Sequence, residues 1–241
     1  MDIWNPWHGC HKISAGCRNC YMYRRDAEFG KDSSVVTKTS SFDLPLRKSS
    51  SGEYKLQNEG TVFCCMTSDF FVSEADGWRR EAWEIMRTRS DLRFTIVTKR
   101  IDRFYVSLPP DWGEGWDNIT VCVTCEDQEN TDRRLPVLLS LPIKHLKIIH
   151  EPMLGPIDIS QYLASKRIEQ VICGGESGSG ARLCEYGWIL ATRRQCLEHR
   201  VDFTFKQTGA LFRKDGRIFR IPRRLQMSQA RKADIDLYFG R

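Results

Sequence analysis

Thr61-Val62-Phe63-Cys64-Cys65-Met66-Thr67 is an apolar run of strand length with no polar alternation. A strand with one wet face alternates, whereas a strand covered on both faces reads as a continuous hydrophobic run. The stretch therefore predicts a strand inside a sheet with helices on either side. Downstream, Ser73 with Asp76 three residues on forms a capping-box start, and Trp78, Ala82, Ile85 and Met86 give a helical stripe through about Arg89. Strand-like runs return at 94–97, 118–123, 146–149, 170–173 and 201–205. Between them the pattern predicts helices near 101–107, around Leu135, Val137, Leu138 and Leu139, near 159–164 and over 188–198. Upstream, residues 2–7 read as a short extended stretch, 21–29 as a helix with Arg24 and Arg25 on its polar side, and 31–60 as a long irregular excursion. Strand-then-helix units recurring every 24 to 32 residues, with no switch to hairpins, predict an α/β protein. The expected form is a full or partial (β/α) TIM-type barrel of six to seven parallel strands, with a doubly wound open sheet as the alternative.

The chain has 241 residues, of which 41% are hydrophobic, enough for one large barrel or two small domains. It opens on no charged-then-apolar leader, and no run reaches the length of a membrane span. The expectation is a cytoplasmic protein with no membrane partner. Ten cysteines there imply thiols or metal ligands rather than disulfides. Residues 211–241 carry nine Lys or Arg (Arg213, Lys214, Arg217, Arg220, Arg223, Arg224, Arg231, Lys232, Arg241) against Asp215, Asp234 and Asp236, which accounts for the whole net charge of +6. A neutral body at 1–209 with a basic extension at 210–241 is the footprint of a protein that touches phosphates. Ile218, Phe219, Ile221 and Leu225, interleaved with the arginines, predict that this extension docks on the body with its charges on one side.

The early segment Cys10-His11-Lys12-Ile13-Ser14-Ala15-Gly16-Cys17-Arg18-Asn19-Cys20 packs three cysteines into eleven residues of loop. Three readings stand: ordinary core cysteines, a structural zinc with His8 or His11 as fourth ligand, or a four-iron cluster on three thiolates with one iron left open. Cys17 and Cys20 have the spacing common to both kinds of metal site. In a (β/α) barrel the chemistry lies at the C-terminal ends of the strands. Those ends read Thr67-Ser68-Asp69, Thr98-Lys99-Arg100, Thr124-Cys125-Glu126-Asp127-Gln128, His150-Glu151-Pro152, Gly174-Gly175-Glu176-Ser177-Gly178 and Lys206-Gln207. An unbroken ring of polar ends implies a ligand-sized cavity, with Asp127 and Ser177 the candidate helix caps. The glycine turn 174–180 also has the composition of a phosphate cradle at a helix start, although it matches neither nucleotide fingerprint.

Taken together, Trp4-Asn5-Pro6, Gly9-Cys10, Cys17, Cys20-Tyr21, Ser68-Asp69-Phe70, Thr98-Lys99-Arg100, Glu126 with Gln128, the run 151–157, the turn 174–178 and Phe205-Lys206-Gln207 resemble the phage-associated three-cysteine-motif family, regarded as radical S-adenosylmethionine (SAM)-like. Cys125 and His150 depart from the small or aliphatic residues of that pattern. The resemblance implies a barrel of the radical SAM kind and a [4Fe-4S] cluster on Cys10, Cys17 and Cys20, with SAM cleaved to a 5′-deoxyadenosyl radical. It places Ser68 and Asp69 at the SAM amino group, Lys99 or Arg100 at its carboxylate and Glu126 at the ribose, with Gly174 and Gly175 giving backbone approach. Glu151, Glu176, Lys206 and Cys125 are left for the substrate. A flavodoxin- or ferredoxin-type electron donor is implied, in the infected host's cytoplasm if the chain is phage-encoded. With the basic extension, in which Arg213, Lys214, Arg217, Arg220, Arg223 and Arg224 would meet the nucleic acid, the expected role is hypermodification of a DNA base. An isomerase acting on an amino-acid-modified pyrimidine is the form expected. The alternative is a non-catalytic nucleic-acid-binding protein with a structural zinc at the three cysteines.

Overall fold

The computed structural model describes residues 2–57 and 60–240; Arg241 of the basic segment, and Asn58 and Glu59 of the 31–60 excursion, lie outside them. In chain order the elements begin β1 (Asp2–Trp4), β2 (Trp7–His8), α1 (Tyr21–Glu28), β3 (Thr37–Lys38), β4 (Thr61–Cys64) and α2 (Asp76–Thr88). They continue β5 (Arg93–Thr98), β6 (Ile119–Thr124), α3 (Gln128–Ser140), β7 (His145–His150), α4 (Ser160–Leu163) and β8 (Ile168–Gly174). The last are β9 (Leu183–Glu185), α5 (Tyr186–His199), β10 (Asp202–Gln207), β11 (Leu211–Lys214), β12 (Arg217–Arg220) and α6 (Arg223–Lys232). Seven strands form a sheet in the order β1-β4-β5-β6-β7-β8-β10. The pairings β1–β4, β4–β5, β7–β8 and β8–β10 are parallel. Spatial order thus follows chain order. A doubly wound sheet reverses at a switch point, so the succession is that of a partial (β/α) barrel. Among the described residues no helix is long and apolar enough to cross a membrane.

By contacts the described residues divide into two compact units, 2–11 with 25–57, 60–122 and 141–145, and 12–24 with 123–140 and 146–240. The first is built on aromatic packing. Trp83 meets Phe70 edge-on at 4.9 Å and Trp112 at 5.1 Å, and Trp7 lies 5.2 Å from Phe70. Such rings bury the most area per side chain and gain further from tilted contact. Two buried arginines pin loops onto this core. Arg79 donates to the carbonyls of Phe70 (2.8 Å) and Val72 (2.7 Å), fixing the turn that follows β4. Arg89 donates to the carbonyls of Pro45 and Leu56 and lies 3.9 Å over the Tyr54 ring, so one guanidinium ties the later part of the excursion, around 45–56, to this core.

In the second unit β7, β8 and β10 carry α3, α4 and α5, and a three-stranded sheet of order β12-β11-β9 is added. β11 and β12 join through Asp215-Gly216, both at positive φ (50° and 72°), with Lys214 opposite Arg217. That is the two-residue hairpin turn whose twist suits a strand pair. The extension docks, but of the four apolar residues its sequence suggested Ile221 alone is half-buried. Ile218, Phe219 and Leu225 are exposed, whereas Phe212, Gln226 and Ala230 are buried, with Phe212 stacked 5.9 Å from Phe205. Ile218 and Phe219 lie on β12, the edge strand of this sheet among the described residues.

Local readings shift in several places. β4 stops at Cys64 because Cys65 turns to φ 58°. Residues Ile101–Arg103 form a single 3-10 turn instead of a helix through 107. The Ser73 capping box is a 3-10 turn ahead of α2, with no side-chain cap on either. Asp127 does cap α3, accepting from the Asn130 N–H at 2.9 Å. Ser177 does not cap a helix, since the chain after it runs into β9.

Candidate functional site

The cysteine loop joins β2 to α1; its residues through His11 belong to the first unit and the rest to the second. In the first unit Gly9 donates to the Thr67 carbonyl at 3.1 Å and has φ +96°. A Cβ there would run into the Val35 carbonyl, so the position requires glycine. The next residue, Cys10, donates its N–H to Ser33 O at 2.8 Å. Arg100 donates to His11 O at 2.7 Å and stands 3.9 Å from the Cys10 sulfur. Asp69 is buried and accepts from Phe71 N (3.0 Å), Thr98 Oγ1 (2.7 Å) and Lys99 N (2.8 Å), while Ser68 Oγ donates to Gly9 O. Ser68 and Asp69 therefore brace the loops around Cys10. The Lys99 ammonium, half-buried, has no polar partner among the described residues. His8 Nε2 meets Asp26 Oδ2 at 2.8 Å, and His11 Nε2 pairs with Glu74. Burial pushes the Asp26 carboxyl up, but hydrogen bonds from Ser33 and His8 outweigh it and leave it below the usual range.

In the second unit Ala15–Cys17 form one 3-10 turn, with Cys17 N donating to Ser14 O at 3.0 Å and Cys20 N to Cys17 O at 3.3 Å. Two carboxylates anchor it. Glu126, fully buried, accepts from Gly16 N at 3.2 Å and from Arg134 Nη1 at 2.6 Å; that same Nη1 also donates to Thr124 O at 2.6 Å. Glu176 accepts from Arg182 N, Nε (both 2.9 Å) and Nη2 (2.6 Å) and from Asn19 Nδ2 (2.9 Å), and Arg182 Nη1 continues to Ala15 O at 2.9 Å. Burial raises the Glu176 carboxyl, yet the Arg182 and Asn19 bonds prevail and hold it below the usual range. Glu126 and Glu176, expected at the ribose and the substrate, hold the turn that carries Cys17 and Cys20.

Glu151 remains partly open, accepting from Lys206 Nζ at 2.5 Å and from Gln207 Nε2. Gly174 and Gly175 pack against Gln207 and Thr208, so their missing side chains serve strand contact with β10. The Cys125 side chain is buried, and its N–H donates to Ile149 O at 2.9 Å.

Of the ten cysteines, Cys10, Cys17 and Cys20 are partly exposed and the other seven are buried. Burial pushes the thiols of Cys64, Cys65 and Cys173 well up, and those of Cys184 and Cys196 to about 12. Thiolates, not thiols, ligate metals. By donor chemistry those five thiols do not fit a metal centre; the loop trio is a set of soft, partly exposed sulfur donors of the type such a centre takes. Among the described residues no three His, Cys, Asp or Glu side chains form a group arranged to hold a metal ion.

A family model described as a protein of unknown function, DUF5131, matches residues 1–237. The chain belongs to the DUF5131 family. No curated protein and no solved structure matches it.

In this DUF5131 chain the cations of the basic extension differ in their surroundings. Arg213 pairs with Glu185 at 2.9 Å, and Lys214 lies 5.0 Å over the Tyr186 ring. Arg217, Arg220, Arg223 and Arg224 are exposed. Sequence reasoning missed Arg134, Asn19 and Arg182. Arg134 had a signal, because Thr131, Arg134, Leu135 and Leu138 share one buried helical stripe. An arginine on such a stripe announces a buried acid.

His150, at the end of β7, is fully buried. Its Nδ1 donates to Cys125 O at 2.5 Å, which leaves Nε2 as a buried acceptor without a partner. Desolvation drives its pKa from 6.5 down to about 4. The folded ring stays neutral where an unfolded histidine takes up a proton. Stability is therefore expected to fall as pH drops from about 6.5 to about 4, by about 3 kcal/mol in all. Urea midpoints at pH 7 and pH 5 check this: His150→Leu should flatten the dependence, and an unchanged slope would assign it to other groups.

Proposed function

We propose that the protein is a radical SAM enzyme of nucleic-acid hypermodification, with Cys10, Cys17 and Cys20 as the ligands of a [4Fe-4S] cluster. The observation that carries the reading is the contrast among the cysteines: one loop trio is accessible and the other seven are buried. When bound, the cluster and SAM would supply a 5′-deoxyadenosyl radical that takes hydrogen from the substrate. This chain's residues would position and exclude water. Glu126, Glu176, Asn19 and Arg182 hold the 3-10 turn in register. Arg100 sits beside the Cys10 sulfur, where a guanidinium favours the anionic ligand. Lys99, whose ammonium has no polar partner among the described residues, is the residue suited to a carboxylate. Glu151 with Lys206 is the partly open acid–base pair left for the substrate. A modified pyrimidine, rearranged without net oxidation, is the substrate class that joins this pair to the basic extension, and reduction would come from a small flavin or iron-sulfur carrier.

The test is purification without oxygen, metal analysis, and incubation with SAM and dithionite. Brown protein with iron and sulfide that releases 5′-deoxyadenosine is the expected result. Colourless protein with one zinc would replace this reading with a structural-zinc binding protein.

A further inference from the structure

Arg24 lies one turn into α1, immediately downstream of the cysteine loop, where the sequence pattern puts it on the solvent side. It turns instead to the glycine-rich turn after β8. Its Nη2 donates to Ser177 O at 3.1 Å, and its Nε is buried with no hydrogen-bond partner. Arg223, the first residue of α6, reaches the same residue from the basic extension, donating to Ser177 Oγ at 3.0 Å. Two guanidiniums thus meet at one serine. Among the described residues neither is paired with a carboxylate. Like charges placed together cost free energy unless an anion is shared between them.

The turn is shaped for this arrangement. Gly178 has φ +100°, and a Cβ there would overlap the Arg24 guanidinium. The backbone approaches the guanidinium face as only glycine allows. Arginine presents five donors in a fixed fork suited to phosphate oxygens, and each of these two shows one donation to Ser177. The surrounding extension carries the molecule's whole positive excess, so a repeating polyanion is the partner it complements.

We propose that Arg24 and Arg223 form a seat for one phosphate group at Ser177-Gly178, and that this phosphate belongs to a polynucleotide backbone. The inference rests on the nucleic-acid reading given above and narrows it. The phosphate contact places the strand beside the loop of Cys17 and Cys20, because Asn19 Nδ2 donates to Gly180 O at 2.7 Å in the same turn. A seat of this kind fixes register on the backbone and reads no sequence.

The test uses the full chain, fluorescence anisotropy of a labelled oligonucleotide about twenty nucleotides long, single-stranded or duplex, and a salt series. Arg24→Gln and Arg223→Gln are each expected to weaken binding about tenfold and to lower the salt slope by about one. Because both would hold one phosphate, the double variant should fall short of the product of the two losses, with its slope still lowered by about one. Arg231→Gln, with the same charge loss at the other end of α6, should move binding much less. Gly178→Ala keeps both charges and displaces Arg24, so it should mimic Arg24→Gln; thermal midpoints show that each variant is folded. Wild-type affinity retained by the folded Arg24 and Arg223 variants would overturn the seat while leaving the nucleic-acid reading intact. Multiplicative losses with a slope lowered by two would replace it with two separate contacts. Inorganic phosphate or a nucleoside monophosphate competing as well as the strand, per phosphate, would overturn the backbone assignment. No binding of wild type to either oligonucleotide at low salt would remove both the seat and the nucleic-acid reading.

Discussion

Replacing Cys17 by serine is expected to strip the anaerobically purified protein of most of its iron, from about four atoms per chain to below one, and to lower 5′-deoxyadenosine release at least a thousandfold. The Cys17 thiol is both accessible and anchored. Cys17 closes the 3-10 turn whose Gly16 N–H is held by Glu126 and whose Ala15 carbonyl is held by Arg182. A serine there fits the same backbone but offers a hard, protonated oxygen where a soft thiolate is needed. Cys10→Ser and Cys20→Ser should behave alike. Cys196→Ala provides the contrast: its thiol is buried, with its pKa near 12, so iron content should not change while stability drops modestly. Iron and visible absorbance are read before any activity, so a mere loss of turnover cannot imitate the result. If iron stays bound after all three loop thiols are gone, the cluster assignment is wrong.

The parts of the fold that sequence made legible are those fixed by two-sided burial. The runs at 94–97, 146–149 and 170–173 lie within strands of the seven-stranded sheet and the run at 118–123 enters β6 at Ile119, because a strand covered on both faces must be largely apolar. Their ends are less legible, since one residue in the left-handed region stops a strand and leaves no mark in composition. Cys65 does this to β4. The second small sheet was hidden by charge. Leu211-Phe212 and Ile218-Phe219 flank Asp215-Gly216, a strong hairpin signal, but six of the ten residues from 211 to 220 are Lys, Arg, Asp or Gly, and the stretch reads as a basic tail. The pairing of β11 with β9 joins residues far apart in sequence, and no local pattern encodes it.

At the site, residue types were legible and their jobs were not. Sequence order shows that Glu126 and Glu176 stand at strand ends, where ligands bind. Whether a carboxylate faces a ligand or a neighbouring arginine depends on which side chains the fold brings opposite it. Arg182 lies six residues after Glu176 and Arg134 eight after Glu126, so each acid's partner was close in sequence. Only Arg134 betrayed itself, by occupying an apolar stripe. The consequence is a division of labour among the acids: two hold the cysteine turn, and Glu151 with Lys206 stays partly open.

Arg134→Met should destabilise the protein by about 3–5 kcal/mol, the largest single-site loss expected outside the aromatic core. Both members of the Arg134–Glu126 pair are buried, and their 2.6 Å bond supplies the charge that makes the buried carboxylate tolerable. Methionine fills much of the volume and removes all of the charge. Glu126 is then left ionised in a dry site or must take up a proton, and either outcome weakens the acceptor that Gly16 N–H uses. For a chain of this size the loss corresponds to a fall of about 10 °C in thermal midpoint. Glu126→Gln leaves the opposite charge stranded and should cost a similar amount. The double variant tests whether the pair is a unit: if each single loss comes from an orphaned charge, Glu126→Gln with Arg134→Met should cost less than their sum by about 2 kcal/mol or more. The same variants report on the cysteine loop, because slackening the Gly16 anchor should speed amide exchange across 14–20 in the double variant even where global stability is largely restored. Strict additivity, or a loss below 1 kcal/mol for Arg134→Met, would mean that the turn carrying Cys17 is held by Glu176 and Arg182 alone.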